Sequence, residues 1–377
     1  MKKKSEKDYD VEKGVFGFEV TTTEACNFRC RYCFEREHVP TEKVLTASII
    51  QDRVEELFQA DWFKNQYDGI KLILWGGEPM ANYHLCKNLF NAFMHDKRVC
   101  FFIYTNGSYI NKYIDILRDL KRKSFVKGTP KITIQVSYDG NPSHDKNRLD
   151  KEGKPTSKQV IHAIADLDAW GIDYGLKATM AWRDYHMLPE CWMDYHELQK
   201  IWGDKIKMAL TVDYYDVQFA KYKEQVTQAL IEIARNEARF YMRHKRFLSN
   251  IFTANRAICA TGKSMLCINT DGNVYNCHGS IYSSCSNDLK YTNIFSENFI
   301  NSIEKANKFY KNNHIEPEEC ENCIANTCLR CNVKKYEESD KETFLEKWMD
   351  YSAQDELCEY YQLVGKIGAA MRSLIRE

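Results

Sequence analysis

The chain has 377 residues, which exceeds one ordinary domain and predicts a large first domain followed by a smaller one. Lys plus Arg and Asp plus Glu both number 53, so the formal charge is zero, and no basic stripe favours nucleic acid as a partner. No apolar run approaches the ~20 residues that cross a bilayer, and no apolar segment follows the N-terminal lysines. We therefore expect a cytoplasmic protein without a membrane partner, whose 15 cysteines are metal ligands or reduced thiols rather than disulfides.

Strand-like and helix-like segments alternate from residue 15 onward, which is typical of a parallel sheet with crossover helices. The predicted strands are 15–23, 70–75, 99–104, 131–137, 173–181 and 206–212. Helical periodicity covers 46–60, 81–95, 109–122, 157–170 and 187–202, with Thr46 and Ser108 as N-caps, and one or two further helices lie between 217 and 248. Six such units predict an α/β fold, a partial six-stranded (β/α)6 TIM-like barrel with its chemistry at the C-terminal strand ends.

Three cysteines are crowded into one loop after the first predicted strand. Residues 21–34, TTTEACNFRCRYCF, place Cys26, Cys30 and Cys33 in the spacing C-x3-C-x2-C. Four thiolates close a zinc or iron-sulfur site, whereas three leave one metal position without a protein ligand. The alternatives are a zinc knuckle with a distant fourth ligand, or plain buried cysteines in a reducing cell.

A second motif follows the strand at 70–75, which runs into Gly76, Gly77, Glu78 and Pro79. The glycines are expected to expose strand-end backbone groups to a ligand, and Glu78 offers an anion to an ammonium group. The GGEP turn, together with the cysteine loop and its Tyr32, resembles the radical S-adenosylmethionine (SAM) enzymes.

That resemblance implies a 4Fe-4S cluster on the three cysteines, with SAM chelating the free iron and the GGEP turn lining its methionine end. Reduction of SAM then gives methionine and a 5'-deoxyadenosyl radical that takes hydrogen from a carbon atom.

Polar residues follow the next strands, at positions where a ligand is expected. By resemblance to family members with TNG and S-x-DG…HD-x-x-R at these points, Asn106 and Ser137 face the ribose or methionine part of SAM, and Arg148 faces its carboxylate. Ordinary turn chemistry at Asp139 and Gly140, with helix capping nearby, is the alternative.

Nine cysteines lie between Cys259 and Cys358, and the run C-x2-C-x4-C-x2-C at 320–331 alone is compatible with structural zinc. The whole region resembles the SPASM extension of radical SAM enzymes, which carries two auxiliary 4Fe-4S clusters. The resemblance implies one cluster on Cys259, Cys267, Cys277 and Cys331 and another on Cys320, Cys323, Cys328 and Cys358, with Cys328 and Cys331 exchangeable and Cys285 unassigned. Cys86, Cys100 and Cys191 are predicted core residues.

The expected domain division follows from these assignments. It consists of a flexible tail at 1–14, the radical SAM partial barrel at 15–216, a helical linker at 217–254, the SPASM domain at 255–358 and a C-terminal helix at 359–377.

The layout is typical of enzymes that act on peptides or proteins. Sulfatase maturases carry a proton-accepting aspartate directly after the third cysteine of the first auxiliary site, where this chain has His278. A Cys-His pair favours enzymes that install a thioether or carbon-carbon cross-link in a ribosomal peptide, with His278 as the candidate proton acceptor. The alternative for His278 is a hydrogen bond to the cluster or backbone. Asp213, after the sixth strand, is expected to touch substrate or to cap the next helix.

The alternatives for function are an anaerobic sulfatase-maturating enzyme that forms formylglycine and a non-enzymatic zinc or iron-sulfur binding module. Expected partners are a peptide or protein substrate, an electron donor such as flavodoxin or ferredoxin, and a separate leader-peptide recognition protein if a leader must be bound.

Overall fold

The computed structural model describes residues 13–35, 42–253, 263–283, 286–312, 323–325, 328 and 356–376. One sheet organises these residues, with the strand order β6-β5-β4-β3-β2-β1-β7-β8-β9. The strands are β1 (Gly14–Thr23), β2 (Tyr67–Gly76), β3 (Val99–Thr105), β4 (Ile132–Ser137), β5 (Asp173–Met180), β6 (Met208–Val212), β7 (Met265–Ile268), β8 (Asn273–Tyr275) and β9 (Thr292–Asn293). All neighbouring pairs from β6 through β1 to β7 are parallel, and the pairs β7–β8 and β8–β9 are antiparallel.

Helices connect the parallel strands as predicted. They are α1 (Ala47–Gln59), α2 (Asp61–Lys64), α3 (Tyr83–Phe93), α4 (Ile114–Lys121), α5 (Ser143–Asn147), α6 (Ser157–Trp170), α7 (Leu188–Trp202), α8 (Phe219–His244), α9 (His278–Ile281), α10 (Ser286–Leu289), α11 (Phe299–Asn312) and α12 (Glu356–Arg376). Short 3-10 turns cover Pro79–Ala81, Ile110–Tyr113, Trp182–Met187 and Gly203–Lys205. None of the described helices is long and apolar enough to span a bilayer.

The two faces of the sheet differ in chemistry. On β1, the side chains of Phe16, Phe18 and Val20 join the main hydrophobic core beneath the helices. Because side chains alternate along a strand, Glu19 and Thr21 lie on the opposite face, which we call the inner face. Both are buried, so the inner face is covered at this strand.

The predicted strands are confirmed to within a few residues, and the stretch from 217 to 248 forms one long helix, α8. Thr46 caps α1 as predicted, because its hydroxyl accepts a hydrogen bond from Ile49 N at 3.4 Å. The prediction for Ser108 is wrong. Its hydroxyl exchanges hydrogen bonds with the Asn27 amide, a tertiary contact that local helix signals do not contain.

The C-terminal region joins the same sheet, which was not predicted. Strand β7 pairs with β1 and places Cys267 opposite Glu19. Helix α12 packs along α8, where Ala220 N donates to Glu356 and Lys223 pairs with Glu359. The proposed boundary between barrel and SPASM domain stays a prediction, and the described strands show that the two regions share one sheet.

We predict that Glu237→Ala lowers the free energy of unfolding by roughly 3 kcal/mol, because three buried donors lose their acceptor. The Glu237 carboxylate, fully buried on α8, accepts hydrogen bonds from Trp192 Nε1 at 2.7 Å, Leu248 N at 3.0 Å and Ser249 N at 2.7 Å. Urea denaturation measures the change.

The matched control is Glu232→Ala, which removes an exposed carboxylate from the same helix and is expected to leave the midpoint almost unchanged. Equal midpoints for the two variants would show that the buried carboxylate does not stabilise the junction of α7 and α8.

Candidate active site

The cysteine loop lies directly against the glycine pair at the end of β2. Gly77 N donates to Thr23 O at 2.9 Å, and Glu78 N donates to Ala25 O at 3.0 Å. A Cβ atom on Gly76 would lie 2.1 Å from Thr23 O, and one on Gly77 would lie 2.6 Å from Glu24 O. Gly76 also has φ of 132°, which other residues rarely adopt. The glycines therefore admit the backbone of the cysteine loop, and these two N–H groups are bound within the protein rather than offered to a ligand.

The three thiols of this loop lie close enough for Cys30 and Cys33 to influence the pKa of Cys26. Burial raises the pKa of Cys26 to about 12, and the nearby Glu78, Cys30 and Cys33 act in the same direction. Burial likewise raises the pKa of Cys33 to about 12, with Glu35 and Cys30 adding to it. All three side chains are half-buried free thiols.

Two N–H donors lie close to the sulfur atom of Cys26. Phe28 N lies 3.3 Å from Cys26 Sγ, and Asn106 Nδ2 lies 3.9 Å from the same atom. Three soft ligands with N–H groups directed at sulfur fit a 4Fe-4S cluster. No three metal-ligating side chains among the described residues are arranged around a single ion. A 4Fe-4S cluster distributes its cysteines over different iron atoms, so it needs thiols around a wider space.

Asn106 and Glu78 connect the strand ends behind the loop. The Asn106 side chain donates to Asn27 Oδ1 at 3.0 Å, which ties the end of β3 to the cysteine loop. The Glu78 carboxylate, 1% exposed, accepts from Asn106 N at 2.7 Å, Thr105 Oγ1 at 2.8 Å and Met80 N at 3.1 Å. Burial raises its pKa to about 7. The cofactor contacts predicted for both residues stay predictions. In the structure, Glu78 and Asn106 form hydrogen bonds that join the glycine turn to β3 and to the cysteine loop.

A buried ion pair lies on the other side of the loop. Arg148 Nε and Nη2 donate to the two oxygens of Asp139 at 3.0 and 3.1 Å, and Tyr32 OH donates to Asp139 as well. The guanidinium lies 5.3 Å from the Tyr32 ring centre, and Thr179 N donates to Asp139 Oδ1 at 2.8 Å. Asp139 is thus more than a turn residue, and two guanidinium nitrogens of Arg148 are already bound to it. The SAM carboxylate contact stays a prediction.

His278 is carried from the C-terminal region onto the inner face. Its Nδ1 lies 3.0 Å from both carboxylate oxygens of Glu19, and its ring stacks on Trp75 with 4.1 Å between ring centres. Burial alone would lower the pKa of His278, but the Glu19 carboxylate raises it above its usual value. The ring centre of Phe34, next to Cys33, lies 6.4 Å from that of His278. The structure therefore brings the predicted proton acceptor next to the first cysteine loop.

Aromatic rings fill the space around His278. Phe34 stacks on Tyr215 with 4.0 Å between ring centres, and it meets Tyr282 edge-on at 5.2 Å. Tyr104 contacts Trp75 edge-on at 5.2 Å. The Glu35 side chain lies in the same region, and burial raises its pKa to about 8. These rings form a largely apolar wall beside the cysteine loop.

The remaining predicted residues have simpler surroundings. Asp213 Oδ1 accepts from Tyr215 N at 3.0 Å and Asp216 N at 3.2 Å, so its carboxylate caps this turn. Ser137 is the last residue of β4, and its side chain lies on the inner face of the sheet. Pro79 is buried, and its carbonyl accepts from Thr22 Oγ1 at 2.9 Å.

The C-terminal cysteines gather in two places, as far as they are described. Cys267 and Cys277 share a small buried cluster with Tyr275, Ile281 and Leu289. Elsewhere, Cys358 lies on α12 one turn before Tyr361, whose pKa is raised mainly by burial and also by nearby groups that include Cys328. The segment of Cys323 packs on the same helix, since a Cβ on Gly365 would lie 2.3 Å from Ile324 O. The ligand split between two auxiliary clusters stays a prediction, because Cys259, Cys285, Cys320 and Cys331 lie outside the described residues.

Sequence reasoning missed Glu19, Phe34 and Trp75. Glu19 carried a usable signal, because it is a lone carboxylate inside the otherwise apolar and β-branched strand VFGFEVTTT. Phe34 and Trp75 flank recognised motifs, but an aromatic residue beside a motif is ordinary core material. Only their contact with His278 indicates a site.

Part of the chain matches a known protein family and several known proteins. The family model of the radical SAM superfamily matches residues 20–181. A serine-type anaerobic sulfatase-maturating enzyme of Bacteroides thetaiotaomicron is 25% identical over 162 residues, which are 41% of this chain and 37% of that protein. The chain spans between 31% and 54% of the length of the curated relatives it matches.

Two solved structures share the fold. The structure of anSMEcpe with bound AdoMet and Cp18Cys peptide has a TM-score of 0.66 at 15% identity and covers 96% of this chain and 99% of its own. Streptococcus suis SuiB bound to its precursor peptide SuiA has a TM-score of 0.51 at 15% identity, over 76% of this chain and 64% of its own. Residues 20–181 therefore match the radical SAM superfamily, and the chain shares the α/β fold of these two solved structures.

We predict that Asp139→Ala lowers the free energy of unfolding by roughly 3–5 kcal/mol, because the buried Arg148 guanidinium loses its carboxylate. Thermal or urea denaturation measures the loss. The double variant Asp139→Ala with Arg148→Met is expected to recover part of it, since no uncompensated charge then remains buried.

Asp119→Ala is the control, because it breaks an exposed pair with Arg122 at 3.2 Å and should cost less than about 0.5 kcal/mol. If the Asp119 and Asp139 variants unfold at the same midpoint, the buried pair of Asp139 and Arg148 does not stabilise the fold.

Proposed function

We propose that this protein is a radical SAM enzyme that modifies a peptide or protein, installing an oxidative cross-link such as a thioether or a carbon-carbon bond. The contact that carries the proposal joins His278 to Trp75 and Glu19, beside Phe34 of the cysteine loop. His278 directly follows Cys277, a proposed ligand of an auxiliary cluster. The contact therefore joins that ligand's neighbour to the loop of the proposed SAM-binding thiols. An enzyme with separate hydrogen-abstracting and electron-accepting centres needs both close to one substrate.

Cys26, Cys30 and Cys33 would hold the first 4Fe-4S cluster, and the SAM contacts would come from the residues around the glycine turn, Asn106 and Ser137. When bound, cluster and SAM together supply a 5'-deoxyadenosyl radical that takes a hydrogen atom from the substrate. The chain's own residues orient the loop through Asn27 and Asn106 and keep water away with the aromatic rings.

The proposed auxiliary sites are two further 4Fe-4S clusters. Cys267 and Cys277 belong to one, and Cys323, Cys328 and Cys358 to the other, in keeping with their two groupings. Cys259 and Cys331 would complete the first and Cys320 the second. Such fully ligated clusters are suited to receive the electron that an oxidative modification releases.

A peptide substrate is supported by two observations. The solved structures of anSMEcpe and SuiB that share the fold hold peptides. The inner face of this chain offers stacked aromatic rings, which bind extended peptides through large contact areas at low entropic cost. A flavodoxin or ferredoxin as electron donor and a separate leader-recognition protein complete the proposal.

Sulfatase maturation is the second candidate, favoured by the match of nearly the whole chain to anSMEcpe and by the curated relatives named for that reaction. His278 weighs against it, because the resemblance places an aspartate at this position in those enzymes.

We expect anaerobic reconstitution to give about twelve irons per chain, the content of three 4Fe-4S clusters. Cys26→Ala with Cys30→Ala should lower that content by about four and abolish the conversion of SAM to methionine and 5'-deoxyadenosine, because the open iron site is lost. Iron and sulfide analysis and chromatography of the nucleoside measure the two effects.

Two comparisons sharpen this experiment. Cys100→Ala removes a buried thiol outside the proposed ligand sets and should change neither readout. Cys267→Ala with Cys277→Ala should lower the iron content while SAM cleavage without substrate persists. Bound zinc without sulfide in the unaltered protein, or cleavage that survives loss of Cys26 and Cys30, would refute the proposal.

The reaction itself is tested with peptides encoded beside the gene. With SAM and reductant, mass spectrometry should show a product lighter by a pair of hydrogen atoms for each cross-link formed. Formylglycine in a C-x-P-x-R peptide, with no change in the neighbouring peptides, would replace this proposal by sulfatase maturation.

A further inference from the structure

Lys177 on β5 is a cation whose role the site description leaves open. Its strand neighbours Leu176 and Ala178 are buried in the helix-covered core, so Lys177 lies on the inner face with Gly175 and Thr179. It is half-buried, and burial lowers its pKa to about 8. Its carbonyl accepts from Tyr138 N at 2.9 Å. Its amino group makes no hydrogen bond or ion pair with the described residues.

Another buried lysine in the same chain shows what an internally satisfied amine looks like. Lys131 is 1% exposed, and its Nζ donates to the carbonyls of Asp96 and Val99. Burial lowers its pKa to about 8 as well. Removing an ammonium from water without such partners is costly, so an unpaired one on the inner face is suited to a ligand.

The surroundings of Lys177 provide room and further polar groups. A Cβ atom on Gly175 would meet nothing within 4 Å, so space is open one pleat below Lys177 on the same face. In the neighbouring strand, Ser137 pairs in register with Lys177, and Gln135 pairs with Gly175. An amine, a hydroxyl and an amide thus border the open space.

The charges of this face indicate which ligand fits. Arg148 is bound to Asp139, and His278 is bound to Glu19, so neither is an uncommitted cation. Lys71, also on the inner face, is exposed, lies toward the other end of its strand and has its Nζ 5.8 Å from the Phe102 ring centre. One uncommitted lysine with two neutral donors matches a monoanion with two oxygens better than a polyphosphate, which usually requires several cations.

We propose that Lys177, with Ser137 and Gln135, binds a carboxylate at the inner face beside the open space over Gly175. Two sources have this chemistry, an acidic side chain of the peptide substrate and the carboxylate of SAM. The first deepens the proposed function, on which it rests, because it would make an acidic residue near the modified position part of substrate recognition.

The first readout does not depend on turnover. The reconstituted holoenzyme is treated with an amine-acylating reagent, and labelling of Lys177 is followed by mass spectrometry of its proteolytic peptide. The probes are acetyl-Gly-Glu-Gly-amide with its Gln counterpart, and SAM with decarboxylated SAM. Protection by the Glu peptide but not the Gln peptide supports a substrate carboxylate, and protection by SAM well above decarboxylated SAM supports the cofactor carboxylate.

The second readout compares Lys177→Met, Lys177→Arg and the control Lys71→Met in SAM cleavage without substrate. If SAM supplies the carboxylate, Lys177→Met should raise KM for SAM about tenfold and Lys177→Arg should largely restore it. If the substrate supplies it, all three variants should keep the KM for SAM of the unaltered enzyme.

Lys177 labelling that neither carboxylate reduces, or that inorganic triphosphate alone reduces, would overturn the proposal. Failure of the unaltered enzyme to cleave SAM would instead contradict the proposed function, and the protection pattern of Lys177 would still be read independently.

Discussion

The close approach of two backbone segments, at the C-terminal ends of β1 and β2, is the constraint on which the site depends. Gly76 and Gly77 lie against Thr23 and Glu24 so closely that no side chain fits between them. The contact joins the ends of β1 and β2 and fixes the start of the cysteine loop. Glu78 then holds the end of β3 by accepting hydrogen bonds from Thr105 and Asn106, and the Asn106 side chain in turn donates to Asn27. A loop with three thiols is thereby positioned by backbone contacts and by the hydrogen bonds of Glu78 and Asn106.

The charges around this loop are paired across strands. Asp139 at the end of β4 receives Arg148, Tyr32 and a backbone N–H of β5, and Glu19 on β1 receives His278. Buried pairs of this kind contribute little net stability compared with apolar packing, but removal of one partner is expensive. The observed placement of the cysteine loop and of His278 satisfies both pairs. Against that background, the Lys177 amine, which makes no hydrogen bond or ion pair with the described residues, is the basis of the proposed carboxylate site.

The C-terminal region is attached to the parallel strands by the shared sheet and by tyrosines. Strand β7 extends the sheet at β1 and brings Cys267 beside Glu19. On α12, the hydroxyl of Tyr360 lies 2.7 Å from the hydroxyl of Tyr185, and the hydroxyls of Tyr361 and Tyr214 form a second hydrogen bond. Both proposed auxiliary-cluster regions are thus packed against the parallel-strand region of the fold.

The amino-acid sequence by itself determined the alternating α/β order, the six parallel strands, the cysteine loop and the glycine turn. These features are local, because periodicity and motif spacing record which face of each element is apolar and which residues recur together. Tertiary structure alone decided that β7 pairs with β1, that Asp139 binds Arg148 and Tyr32, and that His278 stacks on Trp75 beside Glu19. Apart from the pair of Asp139 and Arg148, these contacts join residues far apart in the chain, and their energies depend on burial and on partners that no single segment contains. For the same reason Ser108 was assigned to a helix end, whereas the fold uses it to hold Asn27 next to the proposed cluster site.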